Sequence, residues 1–151
     1  MRLIPLCLIA AAAGMAATPD FSGNWKLNTS KSDFGQFPAP SSMTQKVTHA
    51  EPKLTVEMKM TSDMGEFAVT SNYTTDGKES TNQGFGGSET KSTLKWDGPT
   101  LVVETKGSFG DNAFTMTDKW TLSEDGKVLT VQRKFSSGMG DMNQKMVLEK
   151  Q

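Results

Sequence analysis

The chain has 151 residues, 35% of them apolar, and a formal net charge of −1 from 16 basic and 17 acidic side chains. Both signs are interspersed, so the basic stripe of a nucleic-acid-binding protein is missing and no nucleic-acid partner is expected. A single cysteine, Cys7, excludes an internal disulfide framework and a cysteine-type metal site.

Residues 1–17 carry one basic residue, Arg2, then the apolar run Leu3 to Ala13 and the small-residue stretch Gly14-Met15-Ala16-Ala17. This is the order of a secretory signal peptide, with cleavage expected after Ala16 or Ala17. The apolar run is too short to span a bilayer, so no stable membrane anchor is expected. Pro5-Leu6, where small residues would be needed, argue against a lipid-modified Cys7. The expected location is secreted or periplasmic. Removing residues 1–17 from 151 leaves 134 without cysteine, enough for one domain over 18–151 and too few for two.

The next pattern is Phe21-Ser22-Gly23-Asn24-Trp25-Lys26-Leu27. Gly23 permits close backbone approach, Trp25 carries a large apolar surface that must be covered, and the Lys26/Leu27 alternation fits a strand. Asn28 to Pro40 then mixes turn formers with Phe34, Phe37, Pro38 and Pro40, which predicts a loop with at most one helical turn.

A Gly-x-Trp strand opening a small all-β chain resembles the first strand of the calycin barrels, the lipocalins and fatty-acid-binding proteins. In those proteins the tryptophan closes one end of a ligand-holding barrel. The likeness to the fatty-acid-binding branch continues through Trp25-Lys26-Leu27, Ser30, Asp33-Phe34 and Phe37. That branch inserts two lid helices after its first strand, and the proline-bearing loop here leaves no room for them. Phe34 and Phe37 then either fold over an open end or anchor the loop to the core.

From Ser42 onward the apolar period is two. Val47 sits in one segment; Leu54, Val56, Met58 and Met60 alternate with Thr55, Glu57 and Lys59; Phe67, Val69, Ser71 and Tyr73 alternate with Ala68, Thr70 and Asn72. Turn signals at Glu51-Pro52, Ser62 to Gly65, Asp76-Gly77, Gly84 to Gly87, Asp97 to Pro99, Gly107 to Asp111, Asp125-Gly126 and Gly138 to Asp141 break the chain every 8–12 residues or so. The expected fold is all-β: an up-and-down antiparallel meander of about eight to ten strands closing into a calycin-like barrel, with no major helix beyond the leader. Gly84 to Gly87 is not a phosphate loop, because a strand rather than a helix follows it.

The most informative pair of strands flanks Asp125-Gly126. Phe114, Met116, Asp118, Trp120 and Leu122 share one face, and Leu129, Val131, Arg133 and Phe135 share the other. A two- or four-residue turn sets Leu122 opposite Leu129, Trp120 opposite Val131, Asp118 opposite Arg133 and Met116 opposite Phe135, whereas a one-residue slip would set the charges against neutral residues. Arg133 is the only arginine after residue 17. An inward Asp118–Arg133 pair serves structure, each charge compensating the other with the guanidinium free to stack on Trp25, or it serves recognition of a ligand carboxylate. The resemblance to fatty-acid-binding proteins implies the second role, but their tyrosine two residues later is Phe135 here.

Met58, Met60, Met116, Met142 and Met146 fall on inner faces beside Tyr73, Ser71, Thr90, Ser92 and Gln144, a mixture that suits a partly wet cavity. The candidate ligand contacts are Arg133, Tyr73, Ser92, Met58, Met116, Phe135 and Gln144, on a framework of Gly23, Trp25, Asp118 and Trp120. His49, the only histidine, reads as a solvated residue at a strand end. Nothing in the pattern unites it with a serine and a carboxylate or with further metal ligands. No catalytic residue, metal or cofactor is therefore expected. The sequence points to a protein that holds a small apolar or amphipathic molecule in a barrel cavity. The alternative is an envelope or secreted interaction or inhibitor barrel with a side-chain-filled core and a protein partner.

Overall fold

The computed structural model describes residues 18–84 and 87–151, so the expected leader and its cleavage site fall outside the described residues. Ten strands follow in chain order: β1 Gly23–Leu27, β2 Ser42–Ala50, β3 Lys53–Ser62, β4 Gly65–Thr74, β5 Ser80–Gln83, β6 Glu89–Asp97, β7 Thr100–Phe109, β8 Asn112–Leu122, β9 Val128–Ser137 and β10 Gly140–Lys150. They form one antiparallel sheet in the order β4-β3-β2-β1-β10-β9-β8-β7-β6-β5. Consecutive strands neighbour each other, and β1 joins the two halves by pairing with both β2 and β10, with Trp25 opposite Gln45 on one side and Lys150 on the other. The sheet curls into a nearly closed barrel, which removes most of its unpaired edge.

The seam lies between β4 and β5, the two ends of the strand order. There the side chain of Asn82 stands in for a missing peptide. The Asn72 N–H donates to Asn82 Oδ1 at 2.8 Å, and Asn82 Nδ2 donates to the Asn72 carbonyl at 3.0 Å. A side-chain amide offers the same donor and acceptor as a backbone unit, so one asparagine satisfies both groups.

The period-two pattern sets which face points inward. β2 alternates without exception, with Met43, Gln45, Val47 and His49 buried and the residues between them exposed. The register of β8 on β9 is as expected: Leu122 faces Leu129, Trp120 faces Val131, Asp118 faces Arg133 and Met116 faces Phe135. Phe21, Trp25, Leu54, Leu94, Leu101, Leu129 and Leu148 are fully buried at the centre of the core.

One expected turn is a strand instead. Gly107 lies inside β7, opposite Phe114 of β8, and the turn begins only after Phe109. A Cβ on Gly107 would meet the Phe114 ring at 2.7 Å. The glycine is thus the gap into which an aromatic ring from the next strand lies, and its sequence signature is that of a turn. Gly23 has a different constraint. Its φ of 144° is one that side-chain-bearing residues rarely adopt, and a Cβ there would meet Lys150 Cε at 2.9 Å.

The loop after β1 contains one 3-10 turn, Thr29–Lys31, capped by the Asn28 side chain. No lid helices follow it. Phe34 packs on the core, whereas Phe37 is exposed. The meander gives the barrel two unlike ends. The connections after β2, β4, β6 and β8 meet at the end where β1 starts, and that end is plugged by Phe21 and its neighbours. The other connections meet at the opposite end, which carries all the exposed large apolar side chains among the described residues: Phe37, Met64, Phe109 and Met139.

Candidate functional site: the barrel interior

The plugged end is built on Trp25, which is 1% exposed. Its indole Nε1 donates to the Phe21 carbonyl at 2.9 Å. The cation above its ring is Lys150, at 5.8 Å, and not Arg133, which is committed to Asp118. Lys150 reaches the ring because β10 pairs directly with β1. Phe21 stacks against His49 and Trp96, both at 5.8 Å between ring centroids, and meets Trp120 edge-on at 5.5 Å.

His49 is not the solvated residue its place in the sequence suggests. Its side chain is only 2% exposed, because β2 alternation turns it inward beside Val47. The Phe21 N–H donates to Nδ1 at 3.2 Å, so the ring proton sits on Nε2, which donates to Glu51 Oε1 at 2.6 Å. Glu51 Oε1 also accepts from Trp96 Nε1 at 3.3 Å, and Glu51 Oε2 accepts from Thr75 Oγ1 at 2.7 Å. Burial works against the charge on Glu51, but the bonds from Thr75, His49 and Trp96 outweigh it and hold the carboxyl below its ordinary range. The cluster spends its polar groups on one another, as a plug does.

Above this plug lies an interior cavity of about 160 Å³. Its apolar wall includes Leu54, Val56, Met58, Val69, Leu94 and Val103, and its polar wall includes Gln45, Ser71, Tyr73, Thr105, Asp118 and Arg133, with Trp120 between. It extends to Gln83 and Gly84, where β5 ends beside the seam. A larger recess of about 600 Å³ on the outside of β8, β9 and β10 is lined by Thr117, Lys119, Lys134 and Lys145 and also borders Arg133 and Gln144. That recess is charged and open to water, and it does not suit an apolar ligand.

Asp118 and Arg133 meet bidentately inside the barrel: Nε donates to Oδ1 at 2.8 Å and Nη2 to Oδ2 at 2.9 Å. The aspartate side chain is 8% exposed and the arginine 29%. Burial alone would lower the Arg133 pKa, but Asp118 outweighs it and the guanidinium is held above its ordinary value. Burial pushes the Tyr73 hydroxyl up, and Asp118 adds to that against opposing contributions from Ser71, Arg133 and Ser92.

Of the ligand contacts expected from the sequence, Met58, Tyr73 and Arg133 lie on the cavity wall. Ser92 is fully buried and shares a 2.8 Å hydrogen bond with Thr105. Met116 and Phe135 face each other nearer the open end, where Phe135 stacks on Phe114 at 5.3 Å. Gln144 Nε2 donates to the Phe34 carbonyl at 3.2 Å and ties the loop to β10. Gln45, Glu51 and Trp96 were not anticipated. The alternation Met43-x-Gln45-x-Val47 carried the signal for Gln45; for Glu51 only His49 is a local partner, and Thr75 and Trp96 come from distant segments.

No family model and no curated protein matches the chain. Solved structures do. A zebrafish ileal bile acid-binding protein complexed with cholic acid is 17% identical, with a TM-score of 0.63 over 87% of this chain and 98% of that one. Secretory abundant heat soluble protein 4 from Ramazzottius varieornatus is 14% identical, with a TM-score of 0.60 over 91% of this chain and 99% of that one. A REP1-NXSQ fatty acid transporter is 12% identical, with a TM-score of 0.56 over 87% and 96%. Shared across nearly whole chains, and matched by the ten-stranded antiparallel meander described above, these likenesses establish that this chain has a calycin-like β-barrel fold.

Proposed function

We propose that the protein is an exported, non-enzymatic carrier that holds a small, mainly apolar molecule inside its barrel. The observation that carries this reading is the 160 Å³ cavity, with an apolar wall on one side and a few convergent polar groups on the other. Structures of the same fold include a bile acid-binding protein and a fatty acid transporter. The cavity is below the roughly 300–1,000 Å³ of drug-sized sites, so the occupant is a small molecule or one end of a longer one that extends past Gln83 and Gly84. Met58, Tyr73 and Arg133 are the proposed wall contacts, with Met116 and Phe135 on the way to the open end. Ser92 and Gln144 support the wall through Thr105 and Phe34. Export, to the periplasm or beyond the cell, rests on the order of residues 1–17.

Native mass spectrometry of protein from its own source tests both parts. A co-purifying small molecule on a chain beginning at Ala17 or Thr18 is the expected result. An intact Met1 on a cytoplasmic form would end the export proposal, and a bare chain that takes up no apolar probe would end the carrier proposal. One observation favours a second reading, in which the loops bind a protein: Phe37, Met64, Phe109 and Met139 are exposed together at one end. Loss of a partner on changing Met64 and Met139 to serine, with an empty barrel, would favour it.

A further inference from the structure

The chemical class of the occupant follows from two interior atoms whose hydrogen-bonding capacity is unused. Trp120 Nε1 and Gln45 Oε1 are buried and, among the described residues, meet no hydrogen-bond partner. Gln45 is 9% exposed, Trp120 is 7% exposed, and both line the cavity. Buried polar atoms are almost always paired, because an unmet one forfeits its bond to water, so two that line one cavity mark where a bound molecule presents its polar end.

We propose that the cavity selects a neutral molecule bearing a hydroxyl group, an alcohol or a phenol, over a carboxylate. This rests on the carrier reading above. Trp120 Nε1 can only donate and Gln45 Oε1 can only accept. A carboxylate accepts and so meets only the first; an ammonium donates and meets only the second. A hydroxyl does both. The charged residues of the cavity point the same way. Arg133 already directs Nε and Nη2 at Asp118, so its charge is compensated, and an entering carboxylate would face the Asp118 carboxylate as well as the guanidinium. A neutral ligand leaves that pair undisturbed. The volume of about 160 Å³ limits the apolar part held inside the cavity to about the size of a benzene ring, for which roughly 150 Å³ suffices.

Titration of the full-length mature chain with phenol, toluene and benzoate at neutral pH, followed by NMR at the Trp120 indole and Gln45 amide protons, tests this. Phenol and toluene have nearly the same shape, so their ratio isolates the hydroxyl. Phenol is expected to bind about thirtyfold more tightly than toluene, the worth of two net hydrogen bonds, and more than tenfold more tightly than benzoate. The indole proton resonance should move downfield as phenol binds. In Trp120→Phe and Gln45→Met the phenol-to-toluene ratio should fall towards one. Benzoate binding as well as phenol, or equal binding of phenol and toluene, overturns the proposed selectivity while toluene uptake still supports a carrier. Failure of all three probes to bind overturns both. The comparison on the unaltered chain decides the matter even if a variant does not fold.

Discussion

The Asp118–Arg133 pair allows a quantitative test of the barrel interior. In Asp118→Asn the guanidinium keeps its charge, because arginine stays protonated in proteins, but it loses its counter-ion. Arg133 keeps 29% of its side-chain exposure, and that residual contact with water places the cost near 3 kcal/mol, the lower end of the range for breaking a buried pair. Arg133→Met leaves a carboxylate that is only 8% exposed, and its cost is expected at about 3–5 kcal/mol. The double variant replaces two charges with neutral groups of similar length and should regain at least about 2 kcal/mol of the summed losses. Urea unfolding at neutral pH, read by fluorescence of the three tryptophans, measures each corner of the cycle, with an unchanged slope confirming that only stability has moved. A coupling of only about 0.2–1 kcal/mol is what an exposed pair gives. That result would refute the argument that these charges act inside the barrel.

Three further outcomes are expected. Trp25→Ala removes a fully buried indole and its bond to the Phe21 carbonyl, and should cost about 3–5 kcal/mol in the same assay; a loss below about 1 kcal/mol would mean the plug does not depend on it. Glu51 has a folded-state pKa below its ordinary 4.5, so its contribution is present above that value and is lost as pH falls through the lower folded value. The stability gap between the parent and Glu51→Gln should therefore be open at pH 7 and close in acid below 4.5, and a gap that persists unchanged at the lowest pH would contradict the linkage. Gly107→Ala drives a methyl group into the Phe114 ring and should cost about 1–3 kcal/mol; Phe114→Leu in the same chain should restore part of it, and additive losses would show that the ring does not occupy that space.

Much of the architecture is legible in the sequence because a strand buried on one side repeats every two residues, and that repeat is a local property. It carries the strand count, the positions of most turns and the whole register of β8 on β9, where shifting by one residue would expose Trp120 and strand both charges. Gly107 reads as a turn because its reason for being glycine, the Phe114 ring, lies on another strand. His49 reads as solvated because the Glu51-Pro52 turn follows it closely, although its burial was available in the alternation of β2.

By itself, then, the sequence determined an all-β meander, the inward direction of its side chains and the opposition of Asp118 to Arg133. Each follows from neighbours a few residues apart or across one tight turn. Only the tertiary structure decided how the interior is used. Closing the sheet through β1 and β10 brings Lys150 over Trp25, and curling the sheet brings Phe21, His49, Glu51 and Trp96 into one plug. It also leaves Gln45 and Trp120, on strands four places apart in the sheet order, lining one cavity. Those contacts depend on the curvature of the whole barrel, which no local pattern encodes.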